Sequence, residues 1–182
     1  MKKKTREFIQ HLSHEFDDEH GAENYLAKSL PLIGLVVMYF NGLERSLDSL
    51  ICEAITERSD SPGLLVIQKL AYSAKVDLFK RFCEDLHTSI EAQVPGFTEL
   101  IANLTETGQL RNLVVHADWE NTDHEGYTFV RIKTAQGKTQ QEYIQFSAES
   151  LARLIERILQ GRKQLEAYWE RHVELLHRNP AS

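Results

Sequence analysis

The residues of this chain whose types and spacing could do chemistry together are Arg111, Asn112 and His116, in the string Arg111-Asn112-Leu113-Val114-Val115-His116. Histidine exchanges protons near neutral pH and can act as general base or acid. Arginine presents a planar fork of donors that grips a phosphate through paired hydrogen bonds. Asparagine can hold a phosphate oxygen or orient the imidazole. A base beside a phosphate clamp suits attack of a ribose 2′-hydroxyl on the adjacent phosphodiester, leaving a 2′,3′-cyclic phosphate. The guanidinium would stabilise the extra negative charge of the transition state. That chemistry calls for no metal and no other cofactor.

The elements that must position these residues can be read from periodicity. At about 100° per residue, Asn112 and His116 share one helix face, while Arg111 lies roughly 140° from His116. The carrier is a predicted helix from Phe97 to about Trp119. Ile101, Leu104, Val115 and Trp119 gather on one side of it, and Leu110, Leu113 and Val114 on the other. A helix apolar nearly all round is buried, so this one is expected to line a homodimer interface. Before it, Lys4 to about Phe16 predicts a short helix. Leu30 to Arg58 predicts a long one, with Pro31 in its first turn. Pro62 to about His87 predicts another, with Ser61 as its N-cap. After it, Tyr127 to Lys133 and Gln141 to Phe146 are β-branched and aromatic around a turn at 134–138, which predicts a β-hairpin. Ser147 caps a last helix from about Ala148 to Leu176. The whole is expected to be mostly α, an antiparallel helical bundle in one domain over 1–182, with a small β-hairpin (about 127–146) before the C-terminal helix.

The string Arg111-Asn112-x-x-x-His116, late in a helical domain, resembles the R-x4-6-H motif of the HEPN superfamily. Asn112 matches the polar residue that commonly follows the arginine in that family. The layout of two long helices, a motif helix, a hairpin and a long final helix is similar too. The resemblance implies a homodimeric, metal-independent endoribonuclease with Arg111, Asn112 and His116 as catalytic residues. Two motifs would face one cleft, one histidine serving as base and its mate as acid. It also implies a toxin–antitoxin or defence setting, with RNA as substrate and a cognate antitoxin as partner. One departure is visible. Some family members carry a tyrosine two residues after the histidine, a target of a partner nucleotidyltransferase, and Asp118 stands there instead. Asp118 and Trp119 are candidates for substrate contact, Trp119 by stacking a base, although a carboxylate beside the motif repels phosphate.

The 182 residues carry 21 Lys+Arg against 27 Asp+Glu, a net charge of -6. This balance argues against a chain that coats nucleic acid non-specifically. Cys52 and Cys83 read as buried free thiols of a reducing compartment. Met1-Lys2-Lys3-Lys4 is not followed by an apolar segment. The longest apolar run, Leu30 to Phe40, contains Pro31 and Gly34 and is short for a bilayer. Together these predict a cytoplasmic protein. There is no GxxxxGK[ST], GxGxxG or GxSxG, which disfavours a P-loop NTPase, a dinucleotide-binding fold or an α/β-hydrolase. His11 and His14 share a helix face as a bare zinc pair, with His20 nearby, but no further ligand is well spaced and a solvated N-terminal face explains them better. Two other readings of the motif stand beside the enzyme. In one, the chain is a non-catalytic RNA-binding or protein-interaction module. In the other, Arg111 is structural and pairs with Glu106, Asp118 or Glu44.

Overall fold

The computed structural model describes residues 1–8, 18–56, 60–135 and 137–178. Along these the elements run β1 (Lys3–Glu7), α1 (Glu19–Ile55), α2 (Asp60–Ile67), α3 (Tyr72–Ser89), α4 (Phe97–Val115), β2 (Asp118–Thr122), β3 (Tyr127–Ala135), β4 (Lys138–Gln145) and α5 (Ala148–Arg178). They fall into two units. The first comprises Met1–Met38 and Leu110–Ile155, the second Tyr39–Gln109 and Glu156–Ser182.

In the first unit the expected small hairpin is corrected. β3 and β4 do pair as a hairpin, but they form the centre of a four-stranded antiparallel sheet ordered β1-β4-β3-β2. A lone two-stranded hairpin leaves both edges unpaired and is marginal in water. Here β1 closes one edge, with Lys4 opposite Tyr143, and β2 closes the other, with Thr122 opposite Thr128. Residues 4–7, expected to open a helix, are therefore strand; 9–17, including His11 and His14, lie outside the described residues. Lys4 and Arg6 from β1 lie over the rings of Tyr127 and Tyr143, at 4.9 and 5.4 Å, so part of the basic N-terminus is spent on cation–π contact. Phe129, Ile144, Phe146, Val114, Leu151 and Leu154 are buried.

The β2–β3 turn shows how local sequence fixes this sheet. Asp123 Oδ1 accepts from the backbone N–H of Glu125 and of Tyr127, at 3.1 and 2.8 Å. Gly126 follows with φ +84°, a left-handed value that glycine reaches without strain. A Cβ there would also collide with the Tyr25 ring. That ring's hydroxyl donates to the Phe146 carbonyl. Four residues earlier, Thr122 and Thr128 hydroxyls pair at 2.9 Å, fully buried.

In the second unit the core is Phe40, Leu43, Leu47 and Ile51 of α1, with Ile67, Phe79, Leu104, Ile158 and Leu165. The spacing of the α1 set is that of one helical stripe. Gly63 of α2 packs where a Cβ would strike Cys52, which lets the two helices approach closely. The expected helix from Pro62 to His87 is two helices. The chain turns at 68–71, and α3 restarts after Ala71, which offers no side-chain cap. α1 is longer than expected. Its start at Glu19 makes Pro31 an interior residue. Pro31 and Ala27 are both exposed, so the carbonyl that loses its usual donor is on the solvent side. The 37-residue α1 is long and apolar enough to cross a membrane by length and composition, and 22% of its most apolar window is buried. Ser147 Oγ accepts from the Ser150 N–H at 3.1 Å, the expected N-cap of α5.

Candidate functional site

α4 ends at Val115, four residues before the expected Trp119. His116 keeps one helical hydrogen bond, its N–H donating to the Asn112 carbonyl at 3.0 Å, so His116 and Asn112 stay one turn apart on one face. Both side chains are exposed. Arg111 is half-buried, and its Nη1 donates to Asn112 Oδ1 at 3.1 Å. The structure thus couples Arg111 to Asn112 and sets His116 at the surface on Asn112's side.

The two flanking candidates sit on β2, not on the motif helix. Trp119 is committed to packing. Its Nε1 donates to the Val114 carbonyl at 2.7 Å, and its ring lies 5.1 Å from that of Phe146. This pins the helix end to the sheet and leaves base stacking to some other group. Asp118 accepts a hydrogen bond from the Asn121 amide. The other carboxylates considered as partners for Arg111 are engaged elsewhere, in the second unit. Glu106 takes a bidentate pair from Arg157, whose Nε also reaches Asn103 Oδ1 at 2.9 Å. Glu44 receives Lys75 at 2.8 Å. The outward side of α4 is also more polar than its sequence suggests. Thr98, Glu99, Thr105, Glu106, Gln109, Asn112 and His116 are exposed, whereas Leu110 and Leu113 are half-buried.

Three charged or titratable clusters lie away from the motif. In the second unit, Lys75 is buried between Glu44 and Asp48. Burial alone would lower its pKa, but hydrogen bonds from its ammonium to the two carboxylates outweigh this and raise it. Also in the second unit, His87 Nε2 accepts from the Val94 N–H at 3.2 Å and lies 3.0 Å from the Tyr168 hydroxyl. Cys83, His172 and Trp169 complete that cluster. Burial pushes the Cys83 thiol up to about 12. Burial, and then the neighbouring His87, push His172 down to about 4. The His172 ring stacks on Trp169 at 4.5 Å. In the first unit, Glu142 of β4 is 2% exposed and receives Arg131 and Lys133, both at 2.6 Å. Burial would raise its pKa, but those two partners hold it below the usual range.

In the sequence Glu44 and Asp48 read as a charged stripe on a solvated edge, without Lys75 as their partner, and the other two clusters are not visible there. His87 and His172 are 85 positions apart, and nothing local joins them. Among the described residues, no group of three His, Cys, Asp or Glu side chains is arranged to hold a metal ion. His20 is exposed and 3.9 Å from Glu23. No family model, no curated protein and no solved structure matches this chain.

Proposed function

We propose that this protein is a metal-independent endoribonuclease centred on Arg111, Asn112 and His116. The observation that carries the reading is the exposure of His116 beside Asn112 on one face at the end of α4, with the Arg111 guanidinium held against Asn112. An imidazole open to solvent can reach a ribose 2′-hydroxyl, which a buried one cannot. The Arg111 fork, oriented by Asn112, would take the phosphate. His116 would remove the 2′-hydroxyl proton. The freed oxygen attacks phosphorus, the P–O5′ bond breaks as the 5′-oxygen takes a proton from a second copy's imidazolium or from water, and a 2′,3′-cyclic phosphate remains. The similarity of the motif to that of HEPN ribonucleases points the same way, and a cytoplasmic location, where RNA is at hand, would suit it. A cognate antitoxin-like partner fits this activity, which a cell must restrain.

A non-catalytic RNA-binding or protein-interaction module is the second reading. In either reading Trp119, whose ring packs on Phe146, serves the fold. The two part on product chemistry. Incubation of a mixed RNA pool with the purified protein in EDTA is expected to yield 2′,3′-cyclic phosphate ends. Binding without new ends would support the module.

A further inference from the structure

His116 stands at a corner with little chain to spare. α4 ends at Val115 and β2 begins at Asp118, so His116 and Ala117 alone join them. Neither is glycine or proline, so neither a permissive backbone nor a fixed φ sets the direction of the turn. His116 is exposed. Packing therefore does not aim its imidazole, and the backbone must.

That backbone is held on both sides. Before the corner, the His116 N–H donates to the Asn112 carbonyl at 3.0 Å. After it, Trp119 reaches back, and its Nε1 donates to the Val114 carbonyl at 2.7 Å. A carbonyl in the last turn of a helix lacks its usual donor. That of Val114, a fully buried residue, finds one in an indole. The bond joins 114 to 119 and encloses the corner between them.

β2 is deformed to make this bond. It pairs with β3 at Asp118, opposite Phe129, and at Thr122, opposite Thr128. Four steps along β2 thus match one step along β3, and 119–121 bulge out of register. Thr122 Oγ1 donates to the Trp119 carbonyl at 2.9 Å, and the Asn121 amide donates to the Asp118 carboxylate, which closes the bulge. The buried pair of Thr122 and Thr128 hydroxyls fixes its base. A regular strand sends successive side chains to alternate faces, and a bulge re-aims one of them. Here the re-aimed group grips the end of the motif helix. Packing on Phe146 asks only for a ring. The bond to Val114 asks for the indole N–H.

We infer that Trp119 is a positioning residue: its N–H, tied to the Val114 carbonyl, fixes the corner that presents His116. The inference rests on the reading of His116 as general base. A base must lie within hydrogen-bond reach of the proton that it takes, and a loose corner spreads the imidazole over many placements.

Two variants of the full chain, assayed on a single-stranded RNA oligonucleotide in EDTA, separate the N–H from the ring. Trp119→Phe keeps a ring and removes the donor. It should lower kcat for cyclic-phosphate formation about tenfold, with KM within about twofold of the wild type. The His116 amide should lose about tenfold of its hydrogen-exchange protection, while the amides of β4 keep theirs. Phe146→Leu keeps the donor and removes a fully buried ring. It should lower the urea midpoint more than Trp119→Phe does, and kcat less. A Trp119 that only packs predicts the reverse order, with activity following stability. That order overturns the inference, as does a Trp119→Phe protein with wild-type kcat and wild-type protection at His116. Failure of the ribonuclease reading is distinct from both: the wild type itself then makes no cyclic-phosphate ends, and the positioning role falls with it.

Discussion

Histidines occupy opposite settings in the two units. In the first, His116 is exposed on a helix end with Asn112 one turn away. In the second, His172 is 5% exposed and stacked on Trp169, and His87 bonds to Val94 and Tyr168. Burial pushes the pKa of His172 well down. Perturbed titration often marks a functional site, but buried structural networks produce it as well. Here the cluster locks α3 to α5 through His87, Tyr168 and Phe79. The group positioned to meet a large polyanion is the accessible one. Buried polar groups in this molecule therefore hold the fold, and the proposed chemistry falls on a surface that the fold hardly depends on. That contrast yields graded expectations.

The largest effect should come from the second unit's buried charge. Lys75→Met leaves Glu44 and Asp48 facing each other without their cation. Removing one partner of a fully buried pair costs about 3–5 kcal/mol. The two carboxylates are about a quarter exposed, so a loss of about 2–3 kcal/mol is expected in urea unfolding. Lys75→Met combined with Glu44→Gln and Asp48→Asn should recover part of it. A Lys75→Met protein as stable as the wild type would sink the structural role of this cluster.

His172 gives a pH signature. Its pKa falls from 6.5 to about 4 on folding, so the unfolded chain binds the extra proton between those values. The folded state favours the neutral ring, and its contribution is complete above the unfolded value. Stability should therefore fall as pH drops from 6.5 towards 4, by up to about 1.4 kcal/mol per pH unit from this group. In His172→Phe the acid slope should be shallower by that amount. An unchanged slope would show that His172 is not buried as a neutral ring.

The smallest of the three concerns Ser147. Ser147→Ala removes the acceptor for the Ser150 N–H and should cost about 1 kcal/mol, read as a shift of the denaturation midpoint at constant m. A loss several times larger would mean that the start of α5 bears more of the first unit than its cap does.

Much of this fold is legible in the residues, and the failures have physical causes. β3 and β4 announce themselves by alternating β-branched and aromatic residues, and α5 by its 3.6-residue repeat and Ser147. β2 does not: Asp118-Trp119-Glu120-Asn121-Thr122 is polar, and it becomes a strand only because β3 offers an open edge. β1 is hidden likewise, since Lys3-Lys4-Thr5-Arg6-Glu7 has no apolar face and gains its place by pairing with β4. Pro31 suggests a helix start, but tertiary packing and the exposure of Pro31 and Ala27 let α1 run through it. The α2–α3 break carries neither glycine nor proline, so no local signal marks it. In the site, the helical spacing of Asn112 and His116 is right. Trp119 follows the fate of β2, because its partner Phe146 is 27 positions away.

The central claim is that the chemistry of this protein sits at His116 and that the fold does not need it there. The direct test measures RNA cleavage and unfolding free energy together for the wild type and His116→Ala. Loss of an exposed side chain should leave stability within about 0.5 kcal/mol, while loss of the general base should slow cleavage by about 10²–10⁴-fold. Cleavage that survives His116→Ala would contradict the account, and so would a wild type that makes no cyclic-phosphate ends.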